Sequence, residues 1–132
     1  MKKDKLIAKK SLGQNFITDE NFLQKLSSLI ITDNNSLIIE IGPGKGALTK
    51  ELIKKEIKQI LVIEKDDRLI NNLKIFSKEF KNLKVIHDDA LKIDYNKIIK
   101  KNSIIVGNLP FNISSNLLIN WISLNNWPPL YR

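Results

Sequence analysis

"SLIIEIGPGKGALTKELI", residues 36–53, decides the fold. Its apolar core "LIIEI" (residues 37–41) is too short for a helix and runs into glycines, which predicts a buried strand. The segment after the glycines carries Leu48, Leu52 and Ile53 on one helical face with lysines opposite, which predicts an amphipathic helix. Between the two, Gly42, Gly44 and Gly46 allow a sharp turn and a close backbone approach to a ligand at the N-terminus of that helix. A strand, a glycine turn and a helix in this order form the opening unit of a parallel α/β sheet.

The same alternation extends outward in both directions. Upstream, residues 19–30 read as a helix with Thr18 as N-cap and Phe22, Leu26 and Leu29 at helical spacing. Downstream, strands are predicted over residues 60–64, 83–87 and 103–107. A helix bearing Leu69, Leu73, Phe76 and Phe80 and a closing helix bearing Leu117, Leu118, Trp121 and Ile122 lie between and after them. Near-continuous apolar strands joined by helices imply a doubly wound parallel sheet covered on both faces, the Rossmann-like α/β class. No internal boundary or repeat divides the chain, so residues 1–18 read as a basic arm and residues 19–132 as one domain.

Composition narrows the function classes. The 132 residues contain no cysteine and a single histidine, His87, which excludes disulfides and thiolate chemistry and argues against a metal cage. No apolar run reaches the roughly 18 residues of a membrane span, and the lysine-rich start has no signal-peptide core, so a cytoplasmic location without a membrane partner is expected. The formal charge of +8 suits a polyanion, yet Arg68 and Arg132 are the only arginines, and a lysine excess of this kind also suits an A/T-biased genome.

In sheets of this class ligands bind beyond the carboxyl ends of the strands. Each predicted strand end carries a residue suited to a nucleoside. Gly42 and Gly44 follow the first, Glu64 at the second is placed to accept from ribose hydroxyls, and Asp89 after the third is placed to accept from a purine amine. Taken singly, these are also ordinary turn glycines, a solvated glutamate and a capping aspartate. His87 and Trp121 read more simply as structural residues. Glu64 follows Gly42 by 22 positions, close to the roughly 20 of a dinucleotide site, so a nicotinamide cofactor is a competing reading. Glu40 opposes it: a carboxylate beside the glycines repels a pyrophosphate and welcomes a cation, which favours S-adenosyl-L-methionine. The fourth strand ends in "NLPF". There the Asn108 side chain and the Pro110 carbonyl are expected to accept from an exocyclic amine, and Phe111 to stack on its ring.

The motifs "SLGQNFITDENFL", "IEIGPGKGALT", "VIEKDDRL", "DDALKID" and "GNLPFNISSNLL" occur in the order and spacing of the rRNA adenine N6-dimethyltransferases, which the chain resembles over essentially its whole length. "NLPFNIS" resembles most the branch that dimethylates two adjacent adenosines near the 3′ end of small-subunit rRNA. The resemblance implies a class I S-adenosylmethionine-dependent methyltransferase fold and a partner in small-subunit rRNA or the pre-ribosomal small subunit. It implies cofactor contacts from Gln14, Asn15 and Ile17, with Gly42 on the methionine part, Glu64 on the ribose and Asp89 on the adenine. It also places Asn108 between donor and target, and Phe111 where relatives often carry Tyr. Family members continue through further strands and a small helical domain. Residues 19–132 are therefore expected to be the N-terminal part of such a domain, truncated after the fourth strand, with an open edge there. Three alternatives stay open: a non-catalytic remnant that binds the cofactor or RNA, a methyltransferase for another amine in large-subunit rRNA, DNA or a glutamine side chain, and the nicotinamide enzyme.

Overall fold

The structure, a computed structural model, describes residues 16–125. Of the expected contacts, Gln14 and Asn15 lie outside the described residues, as does most of the basic arm. The elements run in the order α1 (Glu20–Leu29), β1 (Leu37–Ile41), α2 (Ala47–Ile53), β2 (Gln59–Glu64), α3 (Asp67–Glu79), β3 (Leu83–His87), a 3-10 turn (Ala90–Lys92), α4 (Tyr95–Ile98), β4 (Ser103–Gly107) and α5 (Phe111–Ile122). The four strands are parallel and ordered β3-β2-β1-β4. The chain steps outward from β1 through β2 to β3, then crosses back to lay β4 on the other side of β1. The direction of winding therefore changes between β1 and β4, and α/β sheets open a crevice at such a point.

Alternation along β1 builds two cores. Ile39 and Ile41 face a layer of Tyr95 from α4, Ile99 just past it, and Leu117 and Trp121 from α5. Ile38, one residue away on the opposite face, packs with Leu23 of α1 and with Leu48 and Leu52 of α2. All five residues of β1 are buried, as expected of a central strand sandwiched between helices. Fully burying each such side chain contributes about 2 kcal/mol of transfer free energy. Glu40 shares the face of Ile38, so alternation drives a carboxylate into the layer beneath α2. Lys55, just past α2, donates its ammonium to the carbonyls of Ser27 and Ile30 at 2.7 and 2.6 Å. That cation closes the C-terminus of α1, where free carbonyls favour positive charge.

Three local expectations change. The N-cap of α1 is Asp19, not Thr18: its carboxylate accepts from the Phe22 amide at 3.1 Å. The buried stripe of α1 is Leu23 and Ser27 with Leu26 beside them, whereas Phe22 and Leu29 are exposed. On α5, Leu117 and Trp121 enter the core while Leu118 and Ile122 face outward.

Candidate functional site

The crevice lies above the carboxyl ends of β1, β2 and β4. Two cavities meet there, one of about 170 Å³ and one of about 420 Å³, and both are lined by Phe16, Gly42, Gly44 and Asn108. The smaller extends over Glu64, Asp89, Leu91, Pro110 and Ile113. The larger runs between α1 and α2 past Ile17, Glu40 and Lys50. One cavity is thus walled by apolar side chains and three carboxylates, Glu64, Asp88 and Asp89. The other has the buried Glu40 carboxylate at its floor, with Glu20, Glu51 and three lysines of α2 and its flanks also lining it.

Gly44 explains how the turn is made. Its φ is +60°, in the left-handed region that favours glycine, and a Cβ there would lie 3.2 Å from the Phe16 ring. Its amide donates to Glu64 Oε2 at 3.2 Å. The other oxygen of Glu64 accepts from the Lys65 and Asp66 amides at 2.9 and 2.8 Å. Three backbone donors hold this carboxylate at the floor of the smaller cavity. Burial nevertheless raises its pKa, partly offset by those amides. Next to it, Asp66 caps α3 and pairs with the Arg68 guanidinium at 2.6 Å, which fixes the loop after β2.

Asp89 serves two purposes at once. It caps the 3-10 turn by accepting from the Leu91 amide at 3.0 Å, and it pairs with the Lys65 ammonium at 2.8 Å. The Lys65 ammonium holds its carboxyl below the usual range. His87 bonds through Nε2 to Asp67 Oδ1 at 2.8 Å, joining the end of β3 to the start of α3.

Glu40 is 2% exposed, and its Oε2 accepts from the Thr49 hydroxyl at 2.6 Å. Burial, with a smaller push from Glu64, raises its pKa to about 7, while the Thr49 hydrogen bond opposes the rise. The Glu40 site therefore favours a cation and disfavours a phosphate, and that donor set fits S-adenosylmethionine better than a pyrophosphate.

At β4 the expected clamp is only partly assembled. Asn108 lines both cavities. The Pro110 carbonyl does not point to a substrate role: as the N-cap of α5 it already accepts from the Ile113 and Ser114 amides at 3.2 and 3.1 Å. Phe111 is 98% exposed and lines neither cavity, so it stands at the rim as a free flat face. Sequence reasoning missed two residues. Phe16, inside the quoted "GQNF", lines both cavities. Gly107 brings β4 against β1 so closely that a Cβ would lie 2.7 Å from the Ile41 carbonyl oxygen. Among the described residues no group of His, Cys, Asp and Glu is arranged to hold a metal ion.

A parallel sheet with glycines, carboxylates and an Asn-Leu-Pro-Phe turn at its strand ends defines a Rossmann-like methyltransferase fold. Within that class the chain belongs to the ribosomal RNA adenine dimethylase family, whose pattern matches residues 6–130. Ribosomal RNA small subunit methyltransferase A of Bradyrhizobium diazoefficiens is 41% identical over 128 residues, covering 96% of this chain and 45% of the relative. That of Pelagibacter ubique is 47% identical over 116 residues, covering 87% of this chain and 43% of the relative. Among solved structures, a dimethyladenosine transferase from Plasmodium falciparum superposes with a TM-score of 0.73 at 27% identity, covering 86% of this chain and 40% of that one. The 23S rRNA methyltransferase ErmE shares the fold with a TM-score of 0.74 at 24% identity, covering 85% and 44% of the two chains. The chain thus spans less than half the length of the relatives it matches.

Proposed function

We propose that this chain carries the cofactor half of an rRNA adenine N6-dimethyltransferase that acts on two adjacent adenosines near the 3′ end of small-subunit rRNA in the cytoplasm. The observation that carries the reading is the meeting of the two cavities at Gly42, Gly44 and Asn108, with a buried carboxylate serving each. Glu64 accepts from the ribose hydroxyls and Asp89 from the adenine amine, while Leu91 and Ile113 cover the purine. Glu40 attracts the ammonium of the methionine part across Gly42 and Gly44, and Ile17 closes that end. When bound, S-adenosylmethionine supplies an electrophilic methyl group that bonds to the amine nitrogen as the carbon–sulfur bond breaks.

The target amine is a weak nucleophile because its lone pair is delocalised into the ring. Asn108 accepts one of its hydrogens and turns the nitrogen toward the donor. With the Pro110 carbonyl occupied by α5, the second acceptor is the neighbouring Leu109 carbonyl, which accepts no hydrogen bond among the described residues. Pro110 then contributes rigidity: its fixed φ of −57° sets both that carbonyl and the start of α5. Phe111 stacks on the base once it swings out of its helix. The methylated nitrogen releases its proton to solvent.

The test is transfer of labelled methyl groups to small subunits lacking the modification, in parallel with large subunits and duplex DNA, followed by nucleoside analysis. Dimethyladenosine in the small-subunit RNA alone, lost in Asn108→Ala, is the expected result. Label in another substrate would reassign the acceptor. Cofactor binding without transfer to any substrate would leave a binding protein.

A further inference from the structure

We propose that Thr49 is a positioning residue for S-adenosylmethionine: it acts through Glu40 to hold one carboxylate oxygen away from the cavity and leave the other for the ammonium of the methionine part. The inference rests on the reading of the site given above. Thr49 is wholly buried and lines neither cavity, so it has no route to a ligand except through what it touches. Its hydroxyl has one proton, and that proton goes to Glu40 Oε2 at 2.6 Å. Among the described residues Thr49 is the sole hydrogen-bond partner of the Glu40 carboxylate, so Oε1 accepts from no side chain or amide. Glu40 is on the floor of the larger cavity, beside the Gly42 and Gly44 turn.

The pair also sets the charge of the site. Donation from Thr49 favours the ionised carboxyl against burial, which pushes the other way. The charged groups that share this environment are Glu64 across the turn, Glu20 of α1, and Lys45, Lys50, Glu51 and Lys54 on and around α2. Of these, Glu64 raises the Glu40 pKa. Without the hydroxyl the carboxyl both loses its fixed rotamer and holds its proton to higher pH. Affinity for a cationic ligand then falls near neutrality, and affinity for the adenosine part does not.

Thr49→Val keeps the shape and removes the hydroxyl, and Thr49→Ser restores it. Binding of S-adenosylmethionine and of 5′-methylthioadenosine, which lacks the amino-acid ammonium, is titrated for both variants and the unaltered chain from pH 6 to pH 9, as a range of about three units. Thr49→Val is expected to bind S-adenosylmethionine about tenfold more weakly at neutral pH, the scale of one hydrogen bond to a charged group, with its affinity rising at higher pH than in the unaltered chain. Thr49→Ser should retain both the affinity and the profile, and methylthioadenosine should bind all three chains alike. Unchanged affinity and profile in Thr49→Val would overturn the proposal. Equal loss of both ligands, or a serine variant that behaves like the valine one, would overturn it too. An unaltered chain that binds methylthioadenosine but not S-adenosylmethionine overturns the role of Glu40, and binding of neither overturns the methyltransferase reading itself.

Discussion

Replacing Glu40 by Gln should stabilise the ligand-free protein, and only at neutral and higher pH. Glu40 is 2% exposed, and its pKa rises from the ordinary 4.5 to about 7. The folded state therefore holds the proton more tightly than the unfolded chain does. Its stability is undiminished below pH 4.5, falls as the pH climbs from there through about 7, and carries the full cost of the buried charge above that. A displacement of this size corresponds to about 3 kcal/mol. Glutamine keeps an oxygen to accept from Thr49 and never ionises, so it escapes that cost. Urea denaturation of both proteins from acid to mildly alkaline pH isolates the effect, because titrating groups that do not interact with Glu40 cancel in the difference and the coupling to Glu64 is the smaller contribution. The two curves should coincide well below pH 4.5 and separate by about 3 kcal/mol above pH 7. A constant difference at all pH values would refute the reasoning. The same substitution should weaken S-adenosylmethionine binding, which is what marks a destabilising carboxylate as one kept for a ligand.

Other substitutions separate the parts of the site. Gly44→Ala forces a side chain into a left-handed backbone against the Phe16 ring, and should lower stability by about 1–2 kcal/mol in denaturation and abolish saturable cofactor binding. Gly107→Ala meets the Ile41 carbonyl oxygen, prises β4 from β1 and should lower the melting temperature and methyl transfer together. Leu117→Ala opens a cavity beneath the sheet and should cost about 3 kcal/mol of stability in denaturation. Phe111→Ala removes a side chain that packs on almost nothing, so it should leave the melting temperature and cofactor affinity unchanged while reducing methyl transfer.

Strands were the most legible part of the chain. Residues 37–41, 83–87 and 103–107 are short apolar runs between turn residues, and each forms a strand with those bounds. Period alone does not fix which side of a helix faces the sheet. On α1, Leu23 and Ser27 are as well spaced as Phe22 and Leu29, and packing against α2 selects the former pair. The 3-10 turn and α4 have no apolar stripe to announce them. They form because Asp89 caps the turn and Tyr95, donating to the Ala90 carbonyl at 2.9 Å, buries its ring against Trp121. In the site, the sequence reading put Gly42, Glu64 and Asn108 at strand ends, and the structure brings the three to one cavity because topology brings strand ends together. Sequence could not show that the Pro110 carbonyl is taken by α5, or that Thr49 reaches across to Glu40 nine positions earlier. Those are consequences of where helices start and how they rotate, which only the packed structure fixes.

The central claim is that these strand ends hold S-adenosylmethionine. Calorimetric titration of the 132-residue chain with S-adenosylmethionine, with NAD as the control and circular dichroism to verify folding, tests it most directly. A saturable one-to-one isotherm for S-adenosylmethionine and none for NAD is the predicted result. A folded chain that gives no isotherm with S-adenosylmethionine, or binds NAD in its place, would contradict the account.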